Sequence, residues 1–207
     1  APPLRLRDQA TLLLDLRELS RAEAMAALSA LGAAMPAIWA QRADVRLTVI
    51  GALPLGAAGR LARDPRVVFT GARHGPRGHL AAATIVVTPV EPANTPCHSA
   101  LEAMAMGAAL VATRGLARDL EARPGEELLV ADGPAELARA ALALLDDPAY
   151  RGRLGRAGRR LVERRHSWKA SLIALEQVYS AATGSTLAAW RLEVGLSRLR
   201  MDEPGAI

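Results

Sequence analysis

The segment Pro89-Val-Glu-Pro-Ala-Asn-Thr-Pro-Cys-His-Ser-Ala-Leu-Glu-Ala-Met-Ala-Met-Gly concentrates more chemistry than any other stretch of this chain. A helix predicted to run from about Cys97 to Met106 carries Glu102 in its second turn. A carboxylate at that place can accept two hydroxyl hydrogen bonds from a ribose, while amides near Thr95 to Ser99 at the helix tip can meet a diphosphate. The pair reads as sugar plus phosphate. Asn94 and Thr95 have an alternative role as helix caps. Cys97 reads as a small buried residue rather than a reactive thiol. Cys97, His98 and Ser99 do not form a nucleophilic set, because adjacent helical residues do not face one another.

Other candidate groups lie on separate loops. Arg17 and Arg21 are cations placed to meet a phosphate, with a solvated loop charge as the alternative for Arg17. Gly51 and Gly71 each end a predicted strand, and Arg73 follows in the loop to Gly75. His74 and His79 lack metal-ligand spacing. Gly51, Gly56 and Gly59 do not satisfy the dinucleotide fingerprint, and the sole lysine, Lys169, excludes the P-loop pattern. Nicotinamide and nucleoside-triphosphate enzymes therefore rank low. The single cysteine excludes an internal disulfide and a cysteine-rich metal site, and suits a reducing cytoplasm.

These residues need elements to hold them. Strands are expected at Thr11–Leu16, Val45–Ile50, Val67–Thr70, Thr84–Thr88, Ala109–Thr113 and, more weakly, Glu127–Val130. Between them the pattern predicts helices from Ser20, around Leu55–Arg63, near Arg77–Ala83, at Cys97–Met106 and at Pro134–Leu145. Strands alternating with helices imply an α/β, Rossmann-like open parallel sheet with helices on both faces. Ligands bind such sheets at the carboxyl ends of the strands. That places the candidate site on four loops, 16–20, 51–54, 71–75 and 90–98. From Asp147 onward the chain reads as a helical C-terminal extension. Residues 1–10 are expected to be a linker or edge, 11–182 the Rossmann-like domain and 183–207 a helical tail.

The run from Ala24 to Gln41 has no charge and just reaches spanning length. Its many alanines, Ser29, Gly32 and Pro36, and a capping box from Ser20 and Glu23, favour a buried helix of a soluble core. No secretion signal is recognised at the N-terminus. At 207 residues the chain suits one core plus an appended element. The apolar share is 51% but aromatics are only 3%, so Ala, Leu and Val must fill that core closely. A net charge of +5, with 25 of the 26 basic residues arginine, suits anionic partners: phosphates, an acidic membrane surface or nucleic acid. The seven arginines from Arg151 to Arg165 surround an apolar stripe and read as a solvated helix face. Absence of stacking aromatics there weighs against nucleic acid. A tail helix around Trp190 could dock on a missing domain or an anionic membrane.

The same segments resemble the retaining GT-B glycosyltransferases of the glycosyl transferases group 1 type. The likeness lies in Leu101-Glu-Ala-Met-Ala-Met-Gly107 followed by the apolar Leu110–Thr113, then Glu127-Leu-Leu-Val-Ala-Asp132, Leu144-Leu-Asp-Asp-Pro148, Arg151 with Leu154-Gly155, and His166-Ser-Trp168 before Tyr179. It covers most of residues 11 to 180. The resemblance implies a C-terminal, donor-binding domain for a nucleotide diphosphate-sugar, with hexosyl transfer and retention and no cofactor or essential metal. By it Glu102 would bind the donor ribose, and the segment of Thr95, Pro96, Cys97 and His98 the region of diphosphate and donor sugar. The loop with Arg73 would meet the base, and Arg17 and Arg21 would stabilise the leaving diphosphate. The chain departs from the family at Asn94, where a second Glu is usual, at Pro96 and Cys97, where glycines are usual, and at Arg21, where a Lys is common. An acceptor-binding domain or partner chain would complete the cleft, in a cytoplasmic setting that includes the inner face of the membrane, with polysaccharide biosynthesis as the expected context. The competing readings are a non-catalytic binding or scaffold domain and, ranked lower, an Arg-rich nucleic-acid binder.

Overall fold

In a computed structural model of the chain, residues 10–53, 56, 58–71, 76–91 and 98–183 are described. Six strands are formed: β1 (Thr11–Asp15), β2 (Arg46–Ile50), β3 (Val67–Phe69), β4 (Ile85–Thr88), β5 (Ala109–Ala112) and β6 (Leu129–Val130). They build one sheet in the order β3-β2-β1-β4-β5-β6, with every neighbouring pair parallel. The chain first winds outward from β1 and then returns to β1's other side. The strand order therefore reverses between β1 and β4, and the crevice at their carboxyl ends is where open sheets of this kind place ligands.

The helices are α1 (Arg21–Gln41), α2 (Pro76–Ala82), α3 (His98–Ala105), α4 (Arg114–Asp119), α5 (Pro134–Asp146), α6 (Pro148–Arg165) and α7 (Trp168–Thr183). Backbone proximity divides the chain into two units, residues 1–163 and 164–207. The sheet and its site belong to the first, and most of the second lies outside the described residues.

The sheet is covered on both faces. One apolar layer joins Leu12, Leu14, Leu47 and Val87 to Leu28, Leu31 and Met35 of α1 and to Leu144 of α5. The other joins Leu13, Val86 and Leu110 to Ala100 and Met104 of α3 and Leu116 of α4. Alternate residues of β1 thus serve opposite layers, as the period-two geometry of a strand demands. All four residues of β4 are buried, which explains the unbroken Ile-Val-Val-Thr run.

Length and composition alone would let α1 cross a membrane. Its buried positions, Ala24, Ala27, Leu28, Leu31, Ala34, Met35 and Ile38, instead form a helical stripe on the sheet. The stripe is hard to see in the sequence because alanine also occupies the exposed face. The predicted capping box is present: Ser20 N donates to Glu23 Oε2 at 2.7 Å, and Glu23 N donates to Ser20 Oγ at 3.3 Å.

Two elements differ from expectation. The helix expected at Leu55–Arg63 is, among the described residues, a 3-10 turn at Gly59–Arg63, consistent with the positive φ of Gly56 and Gly59 interrupting an α-helical path. Helix α4 was not anticipated. It has only six residues, and its start combines a local cap, Thr113 Oγ1 accepting from Leu116 N, with two tertiary acceptors, Asp132 accepting from Arg114 N and Glu91 from Gly115 N. The tail helix expected around Trp190 lies outside the described residues.

Candidate functional site

The crevice is built from the carboxyl end of β1, the tip of β2 and the start of α3. Strand β1 ends on Asp15, an acidic residue only 5% exposed. A carboxylate so buried needs a partner, and Arg17, two residues on, supplies it. Arg17 N donates to Asp15 Oδ1 at 3.0 Å. Its guanidinium Nε reaches Oδ1 at 3.1 Å and Oδ2 at 3.0 Å, and Nη2 reaches Oδ2 at 2.7 Å.

The same Nη2 donates to Glu102 Oε2 at 2.9 Å, a contact spanning 85 residues of sequence. Arg17 therefore ties the end of β1 to the second turn of α3. Asp15 raises the Arg17 pKa well above its ordinary value through these hydrogen bonds, against the opposing effect of burial and with Glu102 adding to the rise. Its charge is permanent at any working pH. The Glu102 side chain remains 46% exposed, so it stands on the rim rather than in an apolar interior.

Glu18 lies between these groups and the helix tip. Its Oε2 accepts from Ser99 N at 3.2 Å, and its Oε1 lies 3.6 Å from His98 Nδ1. An amide in the first turn of α3, expected to face a phosphate, here faces the protein's own carboxylate. That is the same attraction of a helix N-terminus for negative charge, met from within.

An open cleft of about 490 Å³ adjoins Arg17, lined also by Leu19, Arg21, Gly51, Ala52 and Leu53. Gly51 is needed for this arrangement. Its φ is +109°, and an added Cβ would sit 3.1 Å from both Arg17 N and Leu16 Cβ. Gly51 N donates to the Gly71 carbonyl at 3.3 Å, holding the ends of β2 and β3 together. Arg21, the first residue of α1, has no ion-pair partner among the described residues.

The structure thus gathers Arg17, Arg21, Gly51, His98 and Glu102 around one crevice, with Gly71 joined to it through Gly51. Arg73, Asn94, Thr95, Pro96 and Cys97 lie outside the described residues. Sequence reasoning passed over Asp15 and Glu18. Asp15 was absorbed in an apolar strand, although the spacing Asp-x-Arg at a strand end is the signal for such a clamp. Glu18 gave no signal, because its partner is an amide 81 residues away.

A family profile described as "Glycosyl transferases group 1" matches residues 19–147. No curated protein matches the sequence. Among solved structures, sucrose-phosphate synthase from Thermosynechococcus elongatus is similar at 24% identity and a TM-score of 0.64, over 86% of this chain and 46% of that one. HepE from Anabaena, solved with UDP and glucose, is similar at 18% identity and a TM-score of 0.67, over 87% and 50%. A structure of the C-terminal domain of a glycosyl transferase group 1 family protein, LpcC from Francisella tularensis, gives 20% identity and a TM-score of 0.59, over 77% and 87%. At these identities the likeness is one of fold. The chain spans about half the length of the first two structures.

Proposed function

This chain belongs to the glycosyl transferases group 1 family, and from that premise we propose that it is the donor-binding half of a GT-B hexosyltransferase. The donor is a nucleotide diphosphate-sugar, held at the carboxyl ends of β1, β2 and β4, and transfer proceeds with retention once an acceptor-binding domain closes the cleft. The observation that carries this reading is Glu102, an exposed carboxylate held by Arg17 at the strand-order reversal.

A carboxylate in that place is suited to a vicinal diol. It offers several lone-pair directions, and Arg17 occupies only part of them. Charge-assisted hydrogen bonds to two hydroxyls hold a ribose in one orientation. The diphosphate then falls beside the N-terminus of α3 and Arg21. To use the Ser99 amide it must displace Glu18, so donor binding and a side-chain rearrangement of Glu18 are coupled. As the sugar departs, negative charge grows on the diphosphate, and oriented amides with a fixed cation stabilise that charge more in the transition state than in the ground state.

HepE, solved with UDP-glucose, supports the donor class by analogy of fold. A non-catalytic binding domain is the second reading. It draws on the local charge, since Asp15, Glu18 and Glu102 outnumber Arg17 and Arg21 around the crevice. Calorimetric titration with UDP, GDP and ADP tests the donor site: one of the three binds saturably, and Glu102→Ala weakens it roughly 10- to 100-fold, the range for a lost hydrogen bond to a charged group. Equal affinity in wild type and variant would refute it.

A further inference from the structure

We infer that α6 carries a second anion site, apart from the donor crevice, for a small soluble molecule bearing two or more phosphate groups in line. Arg153, Arg156 and Arg160, spaced three and four residues apart on one helix face, line an open cleft of about 390 Å³ together with Tyr150, Gly125 and Glu126. Gly125 precedes β6, and α6 rests its backbone on Gly107, which precedes β5. The cleft therefore lies toward the amino ends of these strands, whereas the donor crevice lies at the carboxyl ends of β1 and β2.

The acids beside this cleft are already engaged. Glu126 pairs with Arg123 at 2.8 Å, and the buried Glu127 accepts from Arg123 N at 2.9 Å and Nη2 at 3.1 Å. On α6 itself, Arg159 pairs with Glu163 at 2.8 Å, and Arg151 donates to the Leu144 carbonyl at 2.8 Å. Arg153, Arg156 and Arg160 have no ion-pair partner among the described residues. Like charges at these spacings disfavour a helix, and a bound anion relieves that repulsion. The wall is braced as well. Tyr150 donates its hydroxyl to the Gly125 carbonyl at 3.1 Å, and the Arg153 guanidinium lies 5.5 Å over the Tyr150 ring. Arg156 folds back over Gly152, where a Cβ would sit 3.2 Å from its Nη1. The helix rises roughly 10 Å between Arg153 and Arg160, so a short chain of phosphates spans the three guanidinium groups better than a single phosphate does. Because the arginines line a concavity, they suit a compact ligand better than a flat bilayer.

The test is calorimetric titration of the full 207-residue chain with inorganic tripolyphosphate and with orthophosphate. Wild type binds tripolyphosphate saturably and more tightly than orthophosphate. The combined variant Arg153→Gln, Arg156→Gln and Arg160→Gln weakens that binding roughly tenfold or more, since the loss of even one hydrogen bond to a charged group has such an effect. Arg156→Gln alone shifts it in the same direction and carries the test should the combined variant fail to fold. A charge-matched control, Arg60→Gln with Arg118→Gln and Arg139→Gln, removes three exposed arginines from other elements and keeps the binding. Equal weakening in that control would reduce the effect to net charge and overturn the inference. Loss in Arg21→Gln in place of the α6 variants would put the anion in the donor crevice, overturning the inference while leaving the donor site standing. Absence of saturable tripolyphosphate binding, with wild type instead sedimenting on phosphatidylglycerol vesicles, would make the arginines a membrane-facing surface and overturn it too.

Discussion

Glu18 is placed to set the strength of the proposed anion site at the tip of α3. The Ser99 amide that would meet a phosphate already donates to Glu18 at 3.2 Å. Glu18→Gln removes the negative charge next to that amide and keeps the side chain's size. It is expected to tighten nucleoside diphosphate binding about three- to tenfold, an effect on the scale of a helix-terminus charge interaction. Titration of the variant beside wild type measures it, and weaker binding would make Glu18 a contributor rather than a competitor. Glycine 51 is a second single-residue control. Gly51→Ala forces a side chain into a left-handed backbone against Arg17 and Leu16, at a cost of about 2 kcal/mol. Urea unfolding should show that loss. These residues also mark what the sequence made legible. Glu102 and Gly51 could be singled out because a helix turn and a strand end are local patterns. Asp15 and Glu18 were not, because their meaning depends on contacts made only after the sheet has closed.

At the level of elements, α6 packs its backbone directly on the sheet domain. A Cβ on Gly155 would run into the carbonyl oxygen of Gly107, and one on Gly158 would sit 2.9 Å from the carbonyl oxygen of Glu127. The two glycines lie three apart, on one helix face. Gly155→Ala is expected to lower stability by about 3 kcal/mol, as overpacking against backbone does, while an alanine at the half-buried Gly152, where only the flexible Arg156 side chain lies near, changes it little. Denaturant midpoints compare the two. The corner leading into β3 behaves differently, because it is set by charge. Arg66 donates to Asp64 at 2.9 and 2.8 Å and stacks on Trp39 at 3.9 Å. The hydrogen bonds from Arg66 draw the Asp64 pKa from its ordinary 3.8 down to about 2, against a smaller opposing effect of burial. The folded-state pKa is the lower one, so this contribution is present above pH 3.8 and lost as pH falls toward 2. Asp64→Asn should therefore melt slightly below wild type at pH 6, with the gap closing by pH 2. Strand periodicity and helix caps made β1, β2, β4, β5 and α1 readable in the sequence. Helix α4 was harder to read, since it has only six residues and, besides its own cap Thr113, its first amides are met by Glu91 and Asp132 on other segments.

For the molecule as a whole, the parallel sheet and its fold class followed from the alternation of short apolar runs with helices, because right-handed crossovers leave few other ways to connect them, whereas the strand order came only from the structure. The chemistry was less accessible, since a crevice between β1 and α3 joins residues 85 positions apart. The chain spans about half of the first two similar structures, so the proposal assigns it one side of a two-sided cleft. The 207-residue chain is expected to bind a nucleoside diphosphate without transferring a hexose to any acceptor, as a radiolabelled-donor assay would show. Transfer by the chain alone would contradict that division.

Donor recognition at this crevice turns on where the ribose sits. A crystal structure of the chain soaked with the nucleoside diphosphate it binds tests this directly. The expected density places both ribose hydroxyls within hydrogen-bond distance of Glu102, with Arg17 still joined to that carboxylate and the phosphates beside Ser99 and Arg21. A nucleotide bound elsewhere, or one whose ribose leaves Glu102 untouched, would contradict it.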